Sequence, residues 1–238
     1  MVPPRATSWF SRGAAMLVLL LIVLLPQPAG RADDFDVDLA LVLAIDCSSS
    51  VDSHEFPLQM LGLGKAFLRP DVQKAIRAGP RQRIALAVFQ WSDIDNQNVV
   101  LPWTVIAGDA DAREVGSILA AIPRRVDGGG TALGSALLFA QALLATAPRA
   151  ERRVIDVSSD GRNNEGQPVS QARDRIVAAG ITINALTIVN EWPTLQVYFE
   201  NQVVGGEGHF AIPANDYEAY GEAIYRKLLK EITGPDIS

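Results

Sequence analysis

The sequence has 238 residues, 48% of them apolar and 20% charged, with one Cys, two His and a formal net charge of −6. Disordered chains have far fewer apolar residues and disulfide scaffolds have many more cysteines, so both classes are excluded. Zinc is disfavoured because Cys47, His54 and His209 are the only candidate soft or imidazole ligands. The basic residues are dispersed, which predicts that nucleic acid is not a partner.

The first 32 residues differ from the rest of the chain. They contain three Arg, no acidic residue and an unbroken apolar run at 14–25, which is followed by a small-x-small site at 30–32. This is the arrangement of a secretory signal peptide, and the run is shorter than the roughly 20 apolar residues of a membrane span. We predict a signal peptide at 1–32 and one domain at 33–238, periplasmic or secreted. Only an uncleaved segment would place the protein at a membrane.

Without that segment, 18 basic and 27 acidic residues remain, a net charge of −9. Strand-like apolar runs then alternate with helical patterns. In chain order we predict a strand at 38–45, a helix at 56–69, strands at 83–90 and 98–103, helices at 112–121 and 131–146, a strand at 153–158, a helix at 167–179, a strand at 181–189, a helix and Gly-rich turn within 194–208, and a helix at 216–232 with Asn215 as its cap. This alternation predicts a doubly wound α/β fold, a mostly parallel sheet with helices on both faces.

One connection departs from that rule. The strands at 83–90 and 98–103 are separated by too few residues for the crossover that parallel pairing needs. They are therefore expected to form an antiparallel hairpin. Pro102 lacks an N–H group and places the second strand at the edge of the sheet.

Polar side chains follow several of these strands. Asp46, Ser48 and Ser50 come after the first strand at alternate positions, Asp160 follows the strand at 153–158, and Thr131 ends a Gly-rich loop. In open α/β sheets ligands bind beyond the carboxyl ends of the strands. Carboxylate and hydroxyl oxygens are ligands for hard cations. We therefore predict a site for Mg²⁺, or alternatively Mn²⁺, at Asp46, Ser48, Ser50, Thr131 and Asp160.

Each part of this set also has an ordinary structural interpretation. Ser50 or Asp52 would serve as the cap of the following helix, and Thr131 as the cap of the helix at 131–146. Asp160 and Gly161 would form a common turn. The combination, with each part at the expected end of its element, favours the metal site.

The set Asp46-x-Ser48-x-Ser50, Gly-Gly-Thr131 and Ser-Asp160-Gly161 resembles the metal-ion-dependent adhesion site of von Willebrand factor A-type domains, a Rossmann-type fold. The resemblance covers about residues 37–232 and extends to a group of exported bacterial proteins of this type. It implies that the two serines and the threonine hold Mg²⁺, with the aspartates bound directly or through water. It also implies that the ion captures an Asp or Glu carboxylate of a partner protein.

The leading hypothesis is therefore a metal-dependent, extracytoplasmic protein-binding module without catalytic residues. A metal-assisted hydrolase is the first alternative. It needs a positioned base, and His54 and His209 are weak candidates for that role because they are expected at surface and loop positions. A structural subunit without a working metal site is the second.

Two other features near the predicted site have simpler interpretations. Cys47 is interpreted as a small residue packed beneath the loop. Residues 192–208, near the metal edge, are a candidate for partner specificity.

Overall fold

The computed structural model describes residues 1–2 and 36–234, so the predicted signal peptide falls almost entirely outside the described residues and remains a prediction. The described strands form one six-stranded sheet in the order β3-β2-β1-β4-β5-β6. The strands are β1 (Val37–Asp46), β2 (Ile84–Trp91), β3 (Gln97–Ile106), β4 (Ala150–Ser159), β5 (Thr182–Ile188) and β6 (Ala211–Ala214). All neighbours pair in parallel except β2 and β3. This confirms the predicted fold class.

The antiparallel hairpin and the edge position of β3 are also confirmed. The register shifts between the pairs Leu86–Thr104 and Val88–Leu101, so Pro102 falls at the irregularity. A residue without an N–H group is tolerated there because it interrupts no regular ladder.

Helices cover both faces of the sheet. They are α1 (Glu55–Phe67), α2 (Pro70–Ile76), α3 (Asp109–Ala121), α4 (Leu133–Leu144), α5 (Val169–Ala178), α6 (Leu195–Gln202) and α7 (Tyr220–Thr233). The helix predicted at 56–69 ends early because Pro70 excludes a helical conformation for Arg69, whose ψ is 130°. Pro70 then begins α2, since proline is well suited to a first helical position.

The predicted start of the last helix is wrong. Helix α7 begins at Tyr220, and Asn215 does not cap it. Instead, Oδ1 of Asp216 accepts a hydrogen bond from the Ala219 amide at 2.7 Å, which holds the preceding residues in a turn. Strand β6 was not predicted, because four residues that include Pro213 carry too little of a strand pattern.

The sheet is buried on both sides. In β1, Leu39, Leu41 and Leu43 face the layer formed by α1, α2, α3 and α7, whereas Ala40 and Val42 face α4, α5 and α6. This two-sided burial explains why β1 is a continuous apolar run.

The order of the strands reverses between β1 and β4. From β1 the chain moves outward to β2 and β3, then returns to β4 on the other side. Ile45 pairs with Ser158, so the carboxyl ends of β1 and β4 lie side by side. Such a switch point opens the crevice in which doubly wound sheets bind ligands. Among the described helices, none is both long and apolar enough to cross a bilayer.

Candidate metal centre

Asp46 is the last residue of β1 and is almost completely buried. Its Oδ1 accepts a hydrogen bond from the Ser48 amide at 2.7 Å, and its Oδ2 accepts one from the Ser159 hydroxyl. These bonds turn the chain sharply after the strand and fix the orientation of the carboxylate. The side chain is therefore positioned by both β1 and β4.

The two predicted serine ligands converge on the second carboxylate. The hydroxyl oxygens of Ser48 and Ser50 lie 3.1 Å apart, and the Ser50 hydroxyl donates to Oδ1 of Asp160 at 2.7 Å. Ser50 is thus not a helix cap. That role belongs to Asp52, whose Oδ1 accepts hydrogen bonds from the amides of His54 and Glu55 at 2.6 and 2.8 Å.

Thr131 reaches the same place from the Gly-rich loop. A Cβ atom added to Gly161 would lie 3.2 Å from Oγ1 of Thr131, which places this hydroxyl beside the Asp160 loop. Thr131 does not cap α4, because the helix begins at Leu133 and its cap is Ala132. All five predicted residues therefore meet at the carboxyl ends of β1 and β4.

Two asparagines that sequence reasoning missed join the loops that carry Thr131 and Asp160. Oδ1 of Asn164 accepts a hydrogen bond from the Thr131 amide at 2.8 Å, and Oδ1 of Asn163 accepts one from the Gly134 amide at 3.0 Å. Asparagines are common in loops, so their types alone carried no signal.

Tyr217 is a further missed residue. Its hydroxyl donates to Oδ2 of Asp160 at 3.0 Å from the turn that precedes α7. Burial and the nearby Asp160 carboxylate raise the pKa of Tyr217, so the phenol stays protonated and acts as the donor. Each Asp160 oxygen thus has a fixed partner.

Arg124 holds the backbone of the serine loop. Its guanidinium donates to the carbonyl oxygen of Val51 at 2.6 Å, to that of Ser48 at 3.2 Å, and to that of Cys47. Cys47 is fully buried beneath the loop, and burial together with Asp46 raises its pKa to about 12. The thiol is therefore an inert packing group, as the sequence indicated.

The electrostatics of this edge favour a cation. Burial, followed by repulsion from Asp160, raises the pKa of Asp46 to about 7. A bound cation reverses this effect because it attracts both carboxylates. The candidate donors are two carboxylates and three hydroxyls, a set of oxygen atoms of the kind that hard cations such as Mg²⁺ prefer. No group of three or more His, Cys, Asp or Glu side chains with a metal-binding arrangement occurs in the described part of the chain.

The two histidines are placed as expected. His54 is exposed and immediately precedes α1. His209 is exposed in the turn before β6, and its Nδ1 lies 2.7 Å from the carbonyl oxygen of Gly206. Because β6 runs parallel to β5, His209 lies at the opposite edge of the sheet from Asp46.

Comparison with solved structures shows the same fold in von Willebrand factor A domains. Proximal thread matrix protein 1 from the mussel byssus, in a form with a zinc-occupied metal-ion-dependent adhesion site, aligns with a TM-score of 0.62 and 17% identity over 84% of this chain and 49% of its own. A von Willebrand factor type A protein from Catenulispora acidiphila gives 0.57 and 18% over 85% and 44%. This chain thus spans about half the length of these two proteins.

A third structure has the size of a single domain. The von Willebrand factor domain of the type V pili tip protein Mfa5 from Porphyromonas gingivalis aligns with a TM-score of 0.56 and 12% identity, over 85% of this chain and 99% of its own. No curated protein matches the sequence. At these identities the structural matches establish the fold, which is that of a von Willebrand factor A domain.

A family model described as "Protein of unknown function (DUF1194)" matches residues 36–236. The match begins one residue before β1 and includes every described helix and strand. The chain therefore belongs to the DUF1194 family and has a von Willebrand factor A fold.

Proposed function

We propose that this protein is an extracytoplasmic binding module that captures an Asp or Glu carboxylate of a partner protein through Mg²⁺, with Mn²⁺ as the alternative ion. The residues that would hold the ion are Asp46, Ser48, Ser50, Thr131 and Asp160. The observation that carries the proposal is the hydrogen bond from Ser50 to Asp160, which joins ligands from two separate loops at the switch point of the sheet.

The composition of the site explains why an external carboxylate is the expected ligand. Three of the five donors are neutral hydroxyls, so the protein contributes few charges. Mg²⁺ held in this way retains positive charge and supplies a coordination position that attracts an anionic oxygen. The protein's own part is to fix the donors, through Arg124 on the serine loop and Tyr217 on Asp160.

The surface around the site supports a protein partner. Trp192, in the loop after β5, is 53% exposed, and Ile94, in the hairpin loop, is 47% exposed. Both loops follow carboxyl ends of strands and so belong to the metal edge. Exposed aromatic and aliphatic side chains of this kind are common anchors in protein interfaces. We assign partner specificity to the start of the segment 192–208, at Trp192. The end of that segment, which the sequence placed near the metal edge, lies instead at the amino end of β5, where the Thr182 hydroxyl donates to the carbonyl oxygen of Glu207.

The location is proposed on two grounds. The sequence of residues 1–32 has the arrangement of a signal peptide. A structural neighbour is a pilus tip protein, which supports an adhesive role outside the cytoplasm.

Isothermal titration with Mg²⁺ tests the site. Wild type should bind, and Ser50→Ala should bind at least tenfold more weakly because it removes one predicted ligand. Ser49→Ala is the matched control, since its hydroxyl donates instead to the carbonyl oxygen of Gly129 at 3.1 Å. Equal affinity in wild type and Ser50→Ala would refute the assignment.

Affinity capture from the native extracytoplasmic fraction tests the partner. Capture should occur with Mg²⁺ and fail with a chelator, and Asp46→Ala should lose the same proteins. Trp192→Ser should lose the partner while still binding Mg²⁺. Partner recovery that is insensitive to chelator would instead favour a structural subunit.

A further inference from the structure

A second concave site lies at the amino ends of the parallel strands, whereas Asp46 lies at their carboxyl ends. A pocket of about 560 Å³ opens between the amino ends of β4 and β5 and the carboxyl end of α7. This volume lies within the range of small-molecule sites. The pocket shares no residue with the predicted metal centre, so it does not depend on the proposed function.

Three basic side chains line this pocket: Arg152, Arg153 and Lys230. The guanidinium of Arg152 donates to the carbonyl oxygens of Glu231 and Ile232, and that of Arg153 donates to the carbonyl oxygen of Ala179. A guanidinium has five N–H donors, so both arginines retain unused ones. Among the described residues, Lys230 forms no ion pair, and its Nζ lies 4.0 Å from the centre of the Phe210 ring.

Two of the three acidic side chains in the wall are already neutralised. Glu151 accepts from Arg81 at 2.7 Å. Glu231 lies 2.6 Å from Nζ of the fully buried Lys227. Glu207, the third, is exposed and belongs to a turn at the rim. The basic groups therefore dominate the charge that remains available inside the pocket.

The rest of the wall is apolar or lacks side chains. Phe210, Val154 and Ile181 provide apolar surface, and glycines at 180, 206, 208 and 234 leave the space open. A Cβ atom at position 234 would lie 3.2 Å from Cζ of Arg152 and would crowd this guanidinium. A ligand with one anionic group and one apolar group matches both parts of the wall.

From this arrangement we propose that the pocket binds a small organic carboxylate, with its anionic group at Arg152, Arg153 and Lys230 and its apolar part against Phe210. The charge selects the anion, because guanidinium and ammonium groups form strong charge-assisted hydrogen bonds with carboxylates. The apolar wall favours an aromatic or branched aliphatic body.

Titration with phenylacetate, followed by NMR chemical-shift changes, tests this site. Phenylacetate should bind and shift the resonances of pocket residues, and 2-phenylethanol and phenethylamine should bind at least tenfold more weakly because they lack the carboxylate. Equal or tighter binding of the alcohol or the amine would overturn the proposal. So would the absence of phenylacetate binding at millimolar concentration.

Variants separate this pocket from the rest of the surface. Arg153→Gln and Lys230→Gln change solvent-facing side chains and should each weaken phenylacetate binding about tenfold. Arg113→Gln, on the exposed side of α3, is the control and should bind like wild type. Asp46→Ala and the addition of a chelator should change nothing, so failure at the metal centre and failure here are distinguishable. Unaltered binding in both pocket variants would place the ligand elsewhere and reject the site.

Discussion

The hydroxyl of Ser50 donates a 2.7 Å hydrogen bond to Oδ1 of Asp160, which lies 110 residues further along the chain. One partner comes from the loop after β1 and the other from the end of β4. The proposed ligand set therefore exists only when both loops are folded. Metal binding and stability should consequently be coupled, since an ion that binds only the folded state stabilises it.

Asp46→Asn should separate these two effects. The variant removes the charge that Asp160 opposes but keeps an oxygen that accepts from the Ser48 amide. In chelator it should unfold at a temperature equal to or above that of wild type. Mg²⁺ at 100 times its Kd should stabilise wild type by about 2.7 kcal/mol and the variant by much less. Differential scanning fluorimetry measures the unfolding temperatures of both proteins in chelator and in Mg²⁺. An equal rise in the two unfolding temperatures on addition of Mg²⁺ would contradict the prediction.

Tyr217→Phe should weaken Mg²⁺ binding by about tenfold, because residues that orient metal ligands contribute to affinity at this level. The variant removes the hydrogen bond to Oδ2 of Asp160 and keeps the buried ring. Tyr225→Phe is the matched control, since its hydroxyl donates to Asp71, at the contact between α2 and α7. Titration calorimetry on both variants provides the comparison. If the two Kd values agree, Tyr217 has a packing role only.

A buried ionic cluster predicts a pH-dependent stability. Nζ of Lys227 lies 2.6 Å from both Asp156 and Glu231, and all three side chains are buried. Burial, followed by the nearby Glu231 carboxylate, raises the pKa of Asp156 to about 8 from an ordinary value of 3.8. The folded protein therefore holds this proton more tightly than the unfolded chain.

The direction in which stability changes with pH follows from this difference in pKa between the folded and unfolded chain. The contribution of Asp156 to stability is full below about pH 4 and is lost as the pH rises through about 8. Urea denaturation of wild type should show a falling free energy of unfolding between pH 5 and pH 9, and Asp156→Asn should make this slope shallower, with the contribution of Asp46 remaining because the pKa of Asp46 is also raised. Lys227→Met should cost about 3–5 kcal/mol, because it leaves the buried Glu231 carboxylate without its cation. An identical slope in Asp156→Asn would assign the titration to another group.

The contact between α1 and α3 depends on small residues. A Cβ atom at Gly64 would lie 2.5 Å from the carbonyl oxygen of Gly116. Gly64→Ala should therefore destabilise the protein by about 1–3 kcal/mol, in the range of other overpacked sites. Gly221→Ala, within α7, is the control, because a Cβ atom there would meet only Cα of Gly62, at an ordinary contact distance of 3.5 Å. Chemical denaturation should show no loss of stability beyond about 0.5 kcal/mol for Gly221→Ala, and similar values for both variants would argue against close helix packing.

The main elements of the fold were predictable because their signals are local. The apolar run of β1 ends at Asp46, and the short connection between β2 and β3 requires an antiparallel pair. The same logic placed Asp46 and Asp160 at one edge, since carboxyl ends of adjacent parallel strands meet there. The sequence did not show whether Ser50 belongs to the metal site or to the start of the following helix. The structure separates the two roles, because Ser50 donates to Asp160 whereas Asp52 accepts from the backbone amide of Glu55.

The missed features depend on contacts between distant segments. Tyr217 and Arg124 are ordinary residue types, and only the fold brings them to Asp160 and to the serine loop. The late start of α7 has a similar origin. The side chain of Asp216 bonds to a backbone amide in the turn, and this competes with helix formation. Strand β6 is set by pairing with β5 more than by its own four residues.

The burial of Cys47 has a practical consequence for identifying a partner. It is the only cysteine in the sequence, and its thiol is enclosed beneath the serine loop. A cysteine introduced at exposed Ser53, beside that loop, would be the one thiol within reach of a maleimide reagent. The variant Ser53→Cys would thus carry a maleimide-linked photocrosslinker next to the metal edge without removal of the native Cys47, and the crosslinker would convert a transient encounter into a covalent adduct that can be sequenced.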